Sequence, residues 1–167
     1  MRLKSFKQFV VAVWVVLSAG VVQAQTAPVA PPAAPPFGAP ISMEQAQRAV
    51  DAAMAEAKRL NISMAIAIVE PSGDLVYFRK MSGAPYSAIQ LAQGKAVTAA
   101  RYRRPTKFFF DMVQGGQPFF MTFPGMVAVP GGLPIIIDGK FAGAIGVSGG
   151  NAEQDILVAT PGAAIFK

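Results

Sequence analysis

The sequence predicts a mixed α/β domain of the α+β type, in which helices pack on a five-stranded antiparallel sheet. Two kinds of signal predict it. Short apolar runs are joined by turn sequences, and Asp138-Gly139 is typical of a two-residue hairpin turn. Helical periodicity with capping residues opens at Ser42 and again at Asn151. The order of helix, hairpin, helices, three strands and helix describes a sheet covered by helices.

The first helix is predicted from Ser42 to about Asn61. Ser42 and Gln45 have the spacing of a capping box, in which each side chain bonds the backbone N–H of the other residue. Apolar residues then recur at helical spacing: Ala46, Ala49, Val50, Ala53, Ala57 and Leu60. The pattern indicates an amphipathic helix with one buried face.

A hairpin and two helices are predicted next. Met64–Val69 and Leu75–Phe78 are strand candidates on either side of a Pro-Ser-Gly-Asp turn. A helix is expected over Ser87–Tyr102. Thr106 is expected to cap a short third helix that contains Phe108–Val113.

Three strands and a helix are predicted in the last third of the chain. The strand candidates are Met126–Val129, Leu133–Ile137 and Phe141–Val147. Asn151 is expected to be the N-cap of the final helix, with Gln154 at its third position. Pro161 is expected to disturb that helix.

Residues 1–24 are predicted to be a signal peptide. Three cations precede an apolar run: Arg2, Lys4 and Lys7. The run has about 14 residues, fewer than the roughly 20 that span a bilayer, and small residues near Ala24 suit signal peptidase. We therefore expect a periplasmic or secreted protein without a membrane span after cleavage. Residues 25–41 are expected to form a Pro/Ala-rich flexible linker, and residues 42–167 the folded domain.

Composition and charge exclude several classes of function. Without the signal peptide, 12 Lys and Arg stand against 9 Asp and Glu, a charge of +3. Export makes nucleic acid an unexpected partner of the basic cluster near Arg101 and Arg104. Gly146–Gly150 matches the G-x-S-x-G pattern of hydrolases, but the chain has no His, which excludes a Ser-His-acid triad. Without His and Cys, zinc also loses its usual ligands.

Two features of the sequence point to an anion. Lys95 lies on the apolar stripe of the predicted second helix, where an unpaired ammonium is costly. We expect it to meet an anionic group of a ligand or the glycine-rich turn. That turn, Ser148, Gly149 and Gly150, precedes the final helix, whose first N–H groups favour a carboxylate or phosphate. A tight turn that serves only packing is the alternative.

Four motifs, in this order, resemble the GlcG/HbpS-like family, which includes the C-terminal domain of PduO-type proteins. They are Lys95–Ala99, Arg104–Thr106, Gly131–Ile135, and Gly143–Gly150 with Gln154-Asp155. The resemblance implies a profilin-like sandwich, assembly as homo-oligomers and, in several members, haem binding. For exported members it implies sensing or storage of haem.

The resemblance implies a role for Thr106, and residue chemistry adds further candidate site residues. Thr106 would lie at the haem iron as a metal ligand, with Tyr86, Tyr102 and Met112 as substitutes. Phe109 and nearby aromatic residues would line a flat apolar pocket. The cations that would pair with the propionates are Lys95, Arg101 and Arg104.

Two other functions fit the sequence. An accessory or scaffold module would use the apolar surface to pack against a partner enzyme. A protein or enzyme that acts on a small 2-hydroxy or 2-keto acid is suggested by the association of GlcG with glycolate metabolism. Lys95 and the turn from Ser148 to Gly150 would then hold the substrate carboxylate.

Overall fold

The computed structural model describes residues 33–166, which form four α-helices and four strands. A 3₁₀ helix, Pro118–Thr122, follows the third α-helix. The other elements in chain order are α1 (Met43–Arg59), β1 (Ala65–Val69), β2 (Leu75–Lys80), α2 (Ser87–Tyr102), α3 (Thr106–Gln114), β3 (Gly132–Ile137), β4 (Lys140–Ser148) and α4 (Ala152–Ala164).

The strands form one antiparallel sheet in the order β2-β1-β4-β3, with β1 and β4 in the centre. Both predicted hairpins are confirmed, since β1 pairs with β2 and β3 pairs with β4. Asp138 and Gly139 have positive φ angles of 50° and 73°, as a two-residue type I′ turn requires. The turn chemistry read from the sequence therefore fixes the β3–β4 register.

The prediction of a fifth strand is wrong, because Met126–Val129 is a loop in the described chain. The Val127 N–H donates to Thr98 Oγ1 of α2 at 2.9 Å, so this donor bonds a helix side chain and not a neighbouring strand. Met126 and Ala128 are buried among aromatic side chains. The apolar pattern of this segment therefore reflects packing under a loop.

Helices cover both faces of the sheet. α1 and α4 pack on one face, against β-strand side chains that include Ile66, Ile68 and Ile145. α2 packs on the other face through alanines: Ala88, Ala92, Ala96 and Ala99. A Cβ atom at Gly146 would overlap the backbone of α2, so the glycine allows this helix to approach β4 closely.

The predicted caps of α1 and α4 are confirmed, with capping boxes at Ser42/Gln45 and Asn151/Gln154. The expected disturbance at Pro161 does not end α4, which continues to Ala164. Proline removes only its own N–H, so α4 loses the one bond that this N–H would donate to Leu157 O, and the residues after Pro161 continue the helix.

Residues 35–41, which precede the predicted start of the domain at residue 42, form a strap that lies against β4. The Phe141 N–H donates to Pro36 O at 2.7 Å, and the Gly38 N–H donates to Phe141 O at 2.8 Å. Ile41 is buried, and its N–H donates to Ala142 O. Composition predicted a flexible linker here because Pro and Ala carry little apolar surface, but backbone hydrogen bonds hold the strap.

The predicted signal peptide, residues 1–24, and residues 25–32 of the predicted linker lie outside the described part of the chain. Within residues 33–166, no helix combines the length and apolar character that crossing a membrane requires. The likeness to profilin stays a prediction.

Candidate functional site

A buried ion pair joins α2 to α4. Lys95 Nζ lies 2.6 Å from Asp155 Oδ2 and donates to Val147 O at 3.0 Å. The two side chains are only 1% and 4% exposed. The second carboxylate oxygen, Asp155 Oδ1, accepts the Gly150 N–H at 3.0 Å. The Asp155 carboxylate thus takes the position, between Lys95 and the glycine-rich turn, where the sequence led us to expect a ligand anion.

Burial sets the electrostatics of this pair. It raises the pKa of Asp155 above the usual value, while the Lys95 ammonium and the N–H groups of Gly150 and Gly149 oppose the rise. Gly131 covers the pair closely: a Cβ atom there would lie 2.8 Å from Asp155 Cβ and 3.1 Å from Lys95 Nζ. These contacts favour a structural role for Lys95.

The turn before α4 is packed as well. Ser148 is 4% exposed. A Cβ atom at Gly149 would overlap Ser63 O, so the backbone of this turn lies against the residues just before β1. These contacts favour the packing alternative for Ser148 and Gly149. Gly150 is exposed, and its N–H donates to Asp155 Oδ1.

Thr106 is fully buried and is the first residue of α3. Its Oγ1 accepts the Gly132 N–H at 2.9 Å and does not cap the helix, whose N-cap is Pro105. The predicted capping role is wrong, because the hydroxyl connects α3 to the start of β3. A role for Thr106 as an iron ligand stays a prediction, and its oxygen already has a hydrogen-bond donor.

Phe109 lies in an aromatic cluster that forms a small core of its own: Tyr102, Phe108, Phe109, Phe120 and Phe123. The ring centroids of neighbouring members lie 5.1–6.5 Å apart, mostly edge to face. The rings therefore pack against one another. Phe119 and Met121, beside the cluster, are 53% and 54% exposed.

The three arginines at the C-terminal end of α2 reach three different surfaces. Arg101 contacts Pro124 O at 3.5 Å. Arg104 lies over the Phe108 ring, with Cζ 4.9 Å from the centroid. Arg103, the C-cap of α2 with a left-handed φ of 48°, turns towards the strap. Its Nη1 donates to Pro35 O at 2.8 Å, and its Cζ lies 4.5 Å from the Phe37 centroid.

Arg103 is one wall of an open apolar groove of about 310 Å³. The strap, the corner between α2 and α3, strand β3 and the end of α4 enclose it. Its lining residues are Pro35, Arg103, Pro105, Leu133, Pro134, Ile136, Thr160, Ala163 and Ala164. Sequence reasoning placed Arg103 only in a general basic cluster and missed the rest. Two features of the sequence could have indicated the groove: Pro134 in β3 and the small residues at the end of α4.

The groove offers few polar side chains. Arg103 and Thr160 are the only ones among its lining residues, and the Thr160 hydroxyl donates to Ile156 O at 2.7 Å. Among the described residues, no group of three acids is placed to hold a metal ion. The groove therefore suits an apolar molecule that carries a carboxylate.

The family model of haem-degrading, HbpS-like proteins matches residues 41–164. The chain belongs to this HbpS-like family. Protein GlcG of Escherichia coli K12 is 37% identical to it over 108 residues, which are 65% of this chain and 81% of GlcG. The residues that the family model matches include all four motifs on which the resemblance rested.

Solved structures extend the likeness to the fold. The PduOC:haem complex is 28% identical, with a TM-score of 0.68 over 75% of this chain and 94% of PduOC. A double mutant of Streptomyces reticuli HbpS is 26% identical, with a TM-score of 0.72 over 86% of this chain and 99% of HbpS. The HbpS-like domain thus shares its architecture with a protein that was solved with haem.

Proposed function

We propose that this HbpS-like protein binds haem and that the groove beside Arg103 receives one edge of the macrocycle. The observation that carries the proposal is an apolar groove with a guanidinium on its wall. Membership of the HbpS-like family and the likeness to the PduOC:haem complex support it. Binding is the step that haem degradation, storage and sensing share.

The groove residues fit the periphery of the haem. Its volume of about 310 Å³ is at the lower end of the roughly 300–1,000 Å³ of small-molecule sites, which suits an edge of the ring. Leu133 and Ile136 would exclude water from the ring face. Arg103 has five N–H donors in a planar fork, and the strap holds that fork through Pro35, so it would bind a propionate.

Haem would supply a redox-active iron when bound. The contribution of this chain is to hold and orient the ring. Lys95 would act indirectly, because its ion pair with Asp155 fixes α2, whose C-cap is Arg103.

Haemin titration of the purified full chain tests this function. We expect a Soret shift that saturates at a fixed stoichiometry, and an affinity about tenfold or more lower for Arg103→Met, since a charged hydrogen bond is lost. Arg79→Met is the matched control, because Arg79 also lies over an aromatic ring but on β2, the opposite edge of the sheet. Unsaturable adsorption that ignores Arg103 would contradict the proposal.

We also propose that the protein is exported and associates with copies of itself. The charged start and apolar run of residues 1–24 support export. The exposed Phe119 and Met121 side chains support self-association, which light scattering would measure directly; a monomer at micromolar concentration would contradict it.

A further inference from the structure

We propose that the groove recognises a tetrapyrrole by its ring and its carboxylates and not by its metal, so that metal-free porphyrin binds about as well as haem. This inference rests on the proposed function and names the ligand class of the same groove: dicarboxylic porphyrins with or without iron. It follows from the electron-pair donors that the chain possesses and from where the structure puts them.

The chain lacks the strongest axial ligands. Its 167 residues include no His and no Cys, so a second copy of the chain brings none either. Histidine nitrogen, cysteine thiolate, methionine sulfur and tyrosine oxygen are the usual protein ligands of haem iron. Only tyrosine and methionine remain.

The three tyrosines lie away from the groove. The Tyr77 hydroxyl accepts from Arg79 Nη2 at 2.8 Å on β2, the opposite edge of the sheet from β3. Tyr86 is exposed at the start of α2, with Lys80 over its ring. The Tyr102 ring packs inside the aromatic cluster. None of the three lines the groove.

The methionines of the described chain do not line the groove either. Met64 is fully buried beneath the turn before α4, and Met81 Sδ accepts the Met64 N–H. Met126 is buried beside the aromatic cluster. The sulfur atoms therefore belong to other parts of the fold.

Two hydroxyl groups near the groove are already engaged. Thr106 Oγ1 is fully buried and accepts from Gly132. The Thr160 hydroxyl lines the groove but donates to a carbonyl of its own helix, and a neutral alcohol is a weak donor to iron. The groove binds chiefly through apolar contact and the Arg103 guanidinium. A metal-free porphyrin provides an apolar ring for the first and carboxylates for the second.

Three ligands separate these contributions: haemin, protoporphyrin IX and protoporphyrin IX dimethyl ester. With the full chain we expect the dissociation constants for haemin and protoporphyrin IX to lie within about threefold of each other, because the groove contacts the ring and the carboxylates and not the metal. Threefold corresponds to about 0.7 kcal/mol. The ester should bind about tenfold or more weakly, since it cannot pair with Arg103. Arg103→Met should weaken haemin and protoporphyrin IX by the same factor and leave the ester unchanged.

The outcomes distinguish this inference from the proposed function. Haemin bound about thirtyfold or more tighter than protoporphyrin IX would overturn the inference and leave haem binding intact. A Soret band of the haemin complex that changes in Tyr102→Phe or Met112→Leu would also overturn it, because it would reveal an axial ligand. Binding of neither porphyrin would overturn both.

Discussion

At the scale of single residues, the partner of Lys95 decides whether this lysine binds a ligand or stabilises the fold. Its place on the apolar stripe of α2 is visible in the sequence, and so is the need for an anion. The identity of that anion is not, because Asp155 lies 60 residues further along the chain. A buried ammonium can be paired with a carboxylate of the same chain or with a carboxylate of a ligand. Here Asp155 of the chain supplies it.

Lys95→Met should therefore lower stability, although it keeps the volume of the stem. We expect a loss of about 3 kcal/mol in the free energy of unfolding at pH 7, because the buried Asp155 carboxylate loses its counter-charge. Burial already raises the pKa of Asp155, and removing the ammonium raises it further. Urea unfolding measures the loss, and Lys58→Met, at an exposed site, is the control.

The loss should depend on pH in one direction. In the variant, the folded state binds the Asp155 proton more tightly than the unfolded chain does, so protonation at falling pH stabilises the folded form. The deficit is therefore full near pH 7 and shrinks below the folded-state pKa. Adding Asp155→Leu to Lys95→Met should recover much of the lost free energy of unfolding, because no unpaired charge is then buried. A deficit that stays constant from pH 7 to about pH 4 would show that the carboxylate is not its cause.

At the scale of elements, the strap is the least expected part of the fold. It has no helical or strand periodicity, yet its backbone bonds β4 at Phe141 and Ala142. It also holds Arg103 between Pro35 O and the Phe37 ring. Stability and the shape of the groove thus depend on the same seven residues.

A chain that begins at Ile41 should be less stable than one that begins at Ala33, which retains the strap. Two backbone hydrogen bonds and the contacts of Phe37 are lost, each worth about 1 kcal/mol, so the melting temperature should fall by roughly 5 °C or more. Calorimetry measures the melting temperatures of the two chains. Equal melting temperatures would mean that the strap contributes no stability.

The sequence predicted the elements well where local chemistry determines them. The capping boxes at Ser42 and Asn151 and the Asp138-Gly139 turn are local, and all three are present. The loop at Met126–Val129 was read as a strand because burial among aromatic rings leaves the same apolar pattern as burial in a sheet. The groove was missed because its walls come from four separate segments, and no spacing within one segment reveals it.

At the scale of the whole molecule, where the protein works determines which ligands it meets. The first 24 residues, with their cationic start and apolar run, are the basis for expecting export. A haem-binding groove outside the cytoplasm would meet haem released from other proteins.

We expect the exported protein to begin after Ala24. Signal peptidase requires small residues at its cleavage site, so mass spectrometry of the mature product should show the loss of residues 1–24. Ala24→Phe should leave the precursor uncleaved, because a large ring does not fit there. An intact Met1 terminus on wild-type protein in the membrane fraction would contradict export by cleavage.

The two outer strands of the sheet limit how copies of this protein can meet. Pro134 in β3 has no N–H to donate, and β2 ends in the cations Arg79 and Lys80. Proline and charge at sheet borders discourage strands of separate molecules from joining into one continuous sheet. Oligomers should therefore form through helices or loops, and the protein should resist amyloid-like aggregation even at high concentration.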